Sequence, residues 1–136
     1  MRGRYLVAAG AVALLGAAGA VWLVSRSNHT DDKVWILSIA VVGTLSFTFS
    51  GLFAIWRRPE NRTGLLLVAT GSLWLLSALT TANNAWTFTL GFIFNSAAFG
   101  VFGHLLLAFP SGKLESRFYR LLVIVIWFDL IVPAVA

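Results

Sequence analysis

Tyr5 to Val24 reads YLVAAGAVALLGAAGAVWLV, an apolar run without a single charge. A helix rising ~1.5 Å per residue needs ~20 apolar residues to cross ~30 Å of hydrocarbon, and this run has that length. Working outward from it, the same pattern recurs at 34–56, 65–82, 86–109 and 118–136, the last interrupted by Arg120, Asp129 and Pro133. None of these runs alternates apolar and polar residues as a barrel strand would. The chain is therefore expected to be all-α, an integral membrane helical bundle of about five transmembrane helices in a single domain over 1–136.

Composition agrees. Of the 136 residues 59% are hydrophobic and 11% charged, with a mean hydropathy of +0.87. A water-soluble domain carries roughly 25% charged residues because its surface faces water. The net charge of +5 arises from ten Lys and Arg against five Asp and Glu. The basic residues sit in short clusters between the apolar runs, as membrane anchors do, so the expected partner is the lipid bilayer and not nucleic acid. The absence of cysteine removes disulfide frameworks, thiol catalysis and thiolate metal sites.

The connections fix an expected orientation. With the N-terminus in the cytoplasm, the inner segments hold Arg2, Arg4, Arg57, Arg58, Arg62, Lys113, Arg117 and Arg120, leaving only Arg26 and Lys33 outside. That distribution follows the positive-inside rule for short loops. Trp22, Trp35 and Trp86 then mark the outer ends, and Tyr5, Trp56 and Tyr119 the inner ends. Pro59 and Pro110 end the helices that precede them, and Thr63 is placed to cap the third. The opening MRGR, with Ala18-Gly19-Ala20 further on, also fits a signal peptide cut after Ala20. Val21 to Val24, however, extends the apolar run to full spanning length.

Polar groups inside the spans are candidates for function, because a charge at the bilayer centre is costly. Asp129 lies nine residues beyond Arg120, roughly 13 Å deeper along a helix. It is either a signalling residue or an acid that is neutral or hydrated near an opening that Pro133 distorts. His104 shares a helix face with Ser96, Gly100 and Gly103, a small and polar surface suited to close helix packing. Thr44, Ser46, Thr48 and Ser50 form no single stripe and are expected to pack and to back-bond to their own helix. Ala9, Ala13 and Ala17, with Gly16 and Ala20, make a small-residue surface for packing within the chain or for a homodimer. No nucleotide, hydrolase or zinc-protease motif occurs, so no cofactor, metal or catalytic residue is assigned.

Two inner segments are more specific than topology requires. They are Trp56-Arg57-Arg58-Pro59-Glu60-Asn61-Arg62-Thr63-Gly64 and His104-Leu-Leu-Leu-Ala-Phe-Pro110-Ser111-Gly112-Lys113-Leu114. The pair resembles the N-terminal membrane region of actinobacterial two-component sensor histidine kinases over roughly residues 50–120. The resemblance implies a sensor and anchor module in a bacterial plasma membrane, with a dimeric kinase core beyond the last span. Neither the phosphoacceptor helix nor the ATP-binding domain of such kinases is present, so kinase activity does not carry over to this chain. A response regulator would be a partner only through that missing region. Five spans would leave Ala136 outside, so the resemblance also implies a sixth span and a longer protein. In such a bacterial chain the N-x-T sequons at Asn28 and Asn61 carry little meaning.

Arg57, Arg58, Arg62, Lys113, Arg117 and Arg120 are expected to hold the inner loops to anionic headgroups, each worth ~1 kcal/mol near the surface. The competing reading is a small transporter or channel subunit with Asp129 and His104 on a polar path. Such proteins commonly show interrupted spans in repeated halves, and no repeat is present. A ligand-free membrane assembly protein is the third reading.

The orientation is checked by reporter fusions. Fusions after Arg62 and after Lys113 should report cytoplasm, and a fusion after Asn84 should report the exterior. Reversal of two of the three overturns it.

Overall fold

Runs this apolar leave the backbone amides no partners but one another, and the helix is the local arrangement that satisfies them. A computed structural model describes the backbone of residues 2–135; the side chains of Arg2 and of 131–135 lie outside the described set. The order is α1 Arg2–Ser25, α2 Lys33–Arg57, α3 Thr63–Ser77 continued by a 3-10 turn Ala78–Thr81, α4 Ala85–Ala108 and α5 Arg117–Val135. No strand occurs among the described residues. Each helix boundary lies close to the limits read from hydropathy. The α5 backbone stays helical through Pro133, whose side-chain effects fall outside the described residues.

Among the described residues, four segments are long and apolar enough to cross a membrane: Gly3–Ser25, Lys33–Arg57, Thr63–Thr81 and Ala85–Ala108. Together they suggest a membrane protein. α5 is not among the four, because its residues 131–135 lie outside the described set.

Short loops make sequential helices antiparallel neighbours. α3 packs between α2 and α4, α1 lies on α2 and against the 3-10 turn, and α5 rests on α4. One end of the bundle therefore gathers the start of α1, the α2–α3 loop and the α4–α5 loop. It is called the basic end below. The other, far end holds the α1–α2 loop and the connection into α4.

Packing is inverted relative to a water-soluble domain. Most buried positions are small or hydroxylated, among them Ala13, Ala17, Ala20, Thr44, Thr48, Thr70, Ser96 and Ala98, with Leu52 and Leu105 as larger exceptions. Large apolar side chains such as Val7, Leu15, Val34, Leu121 and Phe128 point outward. Lipid tails are as apolar as leucine, so helices in a bilayer gain little by hiding large residues and more by letting backbones approach. The Ala13, Ala17 and Ala20 surface of α1 is used within the chain: Gly10 faces Phe49 of α2, and Gly16 faces Leu75 of α3.

The tightest approach is between α2 and α3. A methyl on Gly51 would lie 2.7 Å from the backbone oxygen of Gly64 and the nitrogen of Val68. One on Gly71 would lie 2.5 Å from Thr48 Oγ1 and 2.9 Å from the Thr44 oxygen. Thr44 and Thr48 thus do share a face, being one turn apart, and that face meets Gly71. Their expected back-bonding is not observed: neither Oγ1 has a hydrogen-bond partner among the described residues. Thr70, by contrast, donates to the Leu66 carbonyl at 2.8 Å. Above this crossing Phe47 stacks on Trp74 at 6.2 Å and meets Phe102 edge-on at 5.7 Å, joining α2, α3 and α4.

Gly71→Val should therefore force α2 from α3 and destabilise by about 1–3 kcal/mol or more, the usual cost of overpacking. A Cβ on Gly43 meets nothing within 4 Å, so Gly43→Ala should be nearly silent. Thermal unfolding in detergent separates the two, and equal melting temperatures would refute the crossing.

Candidate functional site

The two motif-bearing segments, far apart in sequence, meet at the basic end. α2 stops at Arg57, where the Arg58 amide still donates to the Ala54 carbonyl at 2.8 Å, and Pro59 cannot continue the ladder. The chain turns, with the Asn61 amide donating to the Arg58 carbonyl at 3.0 Å. Asn61 Oδ1 then accepts from the Thr63 amide at 2.9 Å, satisfying a free donor of α3. Thr63 is thus the first helical residue, and Asn61 does the capping expected of Thr63. An asparagine oxygen two residues ahead reaches that amide as an Asx turn does.

On the other segment α4 ends at Ala108 and Pro110 follows. The Gly112 amide donates back to the Ala108 carbonyl at 2.8 Å, and the Lys113 amide donates to Ser111 Oγ at 3.3 Å. Gly112 has φ +72°, a left-handed conformation that glycine adopts without penalty. A methyl there would also lie 2.5 Å from the Thr63 nitrogen. Two independent constraints therefore require glycine.

The segments join on a single atom. The Pro110 carbonyl oxygen accepts from Asn61 Nδ2 at 3.0 Å and from Thr63 Oγ1 at 2.8 Å. A carbonyl has two lone pairs, and both are used. The Asn61-Arg62-Thr63 triplet, which reads as a sequon, places two polar side chains on one acceptor. Thr63 is buried while Asn61 is half-buried, so the joint, here called the latch, sits at the rim of the helix core. Gly64, next in the motif, packs against Ile55 and the Gly51 carbonyl, continuing the α2–α3 crossing.

The cations surround this latch without entering it. Arg57, Arg58, Arg62, Lys113, Arg117 and Arg120 are all exposed. The Arg57 guanidinium lies 5.5 Å from the Phe53 ring and 5.6 Å from the Trp56 ring. Ser116 caps α5 by accepting from the Phe118 amide at 3.0 Å.

The far end has its own clasp, which sequence reading missed. Asn83 Oδ1 accepts from the Asn28 amide at 2.9 Å, while its Nδ2 donates to the Arg26 carbonyl at 3.0 Å. His29 Nε2 lies 3.1 Å from the Thr80 carbonyl, and its ring meets Phe88 edge-on at 6.2 Å. Asn84 caps α4 through Oδ1, accepting from Trp86 and Thr87. The signal in the sequence is Ala82-Asn83-Asn84-Ala85, a short uncharged turn with two adjacent asparagines, whose side chains bond readily to neighbouring backbone.

The intramembrane candidates are not brought together. Ser96 is buried and His104 half-buried on α4. A methyl on Gly100 would lie 3.1 Å from the Trp127 ring and one on Gly103 3.3 Å from Ile126, so that face receives α5. This register sets Asp129 at the level of Ser96 and Gly100, a turn or more from His104, and Asp129 is exposed. Among the described residues no group of three or more His, Cys, Asp or Glu is placed to hold a metal ion.

The chain matches no protein-family model, no curated protein and no solved structure.

Asn61→Ala with Thr63→Val removes both donors to Pro110. At about 1 kcal/mol per hydrogen bond the pair should cost about 1–3 kcal/mol, read as a lower melting temperature in detergent. Gly112→Ala should cost at least as much through its backbone conformation alone. Wild-type melting in both variants would show that the latch contributes nothing to stability.

Proposed function

We propose that this chain is a membrane-embedded sensor and anchor module of a bacterial plasma membrane, built like the N-terminal region of a two-component histidine kinase. It crosses the bilayer about five times, α5 included, with its N-terminus and its basic end in the cytoplasm. The observation that carries this reading is the latch. The two segments that resemble the kinase family are the ones that meet on the Pro110 carbonyl.

The four apolar helices and the inverted packing support the membrane setting. The latch supports the signalling role on physical grounds. It ties the α2–α3 loop to the α4–α5 loop at the face from which an output domain would be driven. A stimulus that shifts α4 and α5 against α2 and α3 must either carry the latch with it or break it. An element with two such arrangements is what a sensor biases. The module itself performs no phosphotransfer, because its loops are too short to fold a nucleotide site.

Two measurements test the reading. The isolated chain should incorporate no phosphate from labelled ATP. In the full-length protein, Asn61→Ala with Thr63→Val should change autophosphorylation in vesicles about fivefold or more at matched membrane level, the usual lower range of a coupling. A reading frame beyond Ala136 without a kinase core, or unchanged autophosphorylation in the unlatched protein, ends the proposal.

A further inference from the structure

A cleft runs between the basic-end halves of α1 and α2. Gly3, Leu6, Val7, Gly10, Ala11 and Leu14 form one wall, and Phe49, Leu52 and Trp56 the other, around a cavity of 560 Å³. That volume is within the range of small-molecule sites, ~300–1,000 Å³. Its lining has no charged side chain. Small residues make the floor: a methyl added at Gly3 would meet nothing within 4 Å, and one at Gly10 would find Phe49 Cε1 nearest, at 3.4 Å.

Length and charge identify the occupant. From Gly3 to Leu14 the cleft follows α1 for roughly 16 Å at ~1.5 Å per residue. Half of a ~30 Å hydrocarbon core is ~15 Å, the depth of one leaflet. At its mouth the Trp56 ring carries the Arg57 guanidinium at 5.6 Å. Exposed Arg4 is the next residue after Gly3, which lines the α1 wall at this level. A second apolar cavity of 400 Å³, lined by Tyr5, Leu6, Ile55, Trp56 and Pro59, adjoins the first across Leu6 and Trp56. The mouth is thus flanked by two arginines next to its lining, the channel is apolar and one leaflet deep, and a neighbouring recess shares Leu6 and Trp56 with it.

We propose that this cleft holds one anionic diacyl phospholipid of the cytoplasmic leaflet. One acyl chain lies along Gly3, Gly10 and Ala11, the second enters the recess beside Tyr5 and Pro59, and the headgroup phosphate meets Arg57 and Arg4. The inference rests on the membrane setting and orientation proposed above, but not on the sensor role.

Native mass spectrometry of the full chain in mild detergent tests it, with phosphatidylglycerol and phosphatidylcholine of identical acyl chains supplied equally. The wild type should retain a single phosphatidylglycerol in preference to phosphatidylcholine. Ala11→Phe, which fills the cleft from an exposed position, should abolish retention. Val12→Phe, beside it but outside the lining, should not. Arg57→Gln and Arg4→Gln should each lower the preference for phosphatidylglycerol about fivefold, the effect of one cation beside an anionic headgroup.

Retention unchanged in Ala11→Phe, or equal retention of both lipids whatever the arginines, overturns the proposal. So does a lipid-free dimer that Ala11→Phe dissociates, since a second copy would then fill the cleft. A chain that stays monodisperse without detergent would instead remove the membrane setting itself.

Discussion

The structure depends on how closely the backbones of α2 and α3 approach. Gly51, Gly64 and Gly71 face backbone or hydroxyl atoms of the opposing helix at distances that leave no room for a methyl. Everything else is arranged around that contact. α1 lies on α2, α4 lies on α3, and the Phe47, Trp74 and Phe102 rings join α2, α3 and α4. A crossing of this kind gains by dispersion over many short contacts and needs no large apolar side chain to hide. The hydroxyls of Thr44 and Thr48, which have no partner among the described residues, are the cost of that closeness. Only a glycine at 71 leaves room for the Thr48 hydroxyl, 2.5 Å from where a methyl would sit.

Much of the fold was legible in the sequence because helix position in an apolar chain is a one-dimensional property. Charge clusters, prolines and apolar length give the limits of all five helices without knowledge of neighbours. Three-dimensional pairings were not legible. Nothing in the order of residues says that Asn61 and Thr63 share an acceptor more than forty residues away, or that Asn83 reaches back to Asn28. The misplaced cap shows the same boundary: Thr63 has the right chemistry, but Asn61 has both the chemistry and the reach. Thr44 and Thr48 were read as scattered hydroxyls, since their common face matters only once Gly71 lies opposite.

The candidate site divides in the same way. The arginines of the basic end were identifiable from composition, and they lie on the surface as anchors would. The residues that join the two loops are neutral. Pro110 contributes a carbonyl, Gly112 a permissive backbone and Asn61 an amide, and none of these carries a charge that would mark it. His104, Ser96 and Asp129 stood out because polarity is conspicuous in an apolar run. Yet His104 and Ser96 share a face that receives α5, whereas Asp129 points away from the bundle.

The two end joints interleave along the chain. The far clasp closes from Arg26 to Asn83, and the latch closes from Asn61 to Pro110, so the latch begins inside the span of the clasp and ends beyond it. A break anywhere between Thr63 and Asn83 consequently divides both at once. Neither fragment keeps the two partners of either joint, and α3 is cut away from one of its neighbours. Reassembly of such fragments would restore the clasp and the latch together, whereas a break before Arg26 or after Gly112 leaves both joints inside one piece. Interleaving makes the two faces of the bundle parts of one closure, although no side chain reaches from one to the other.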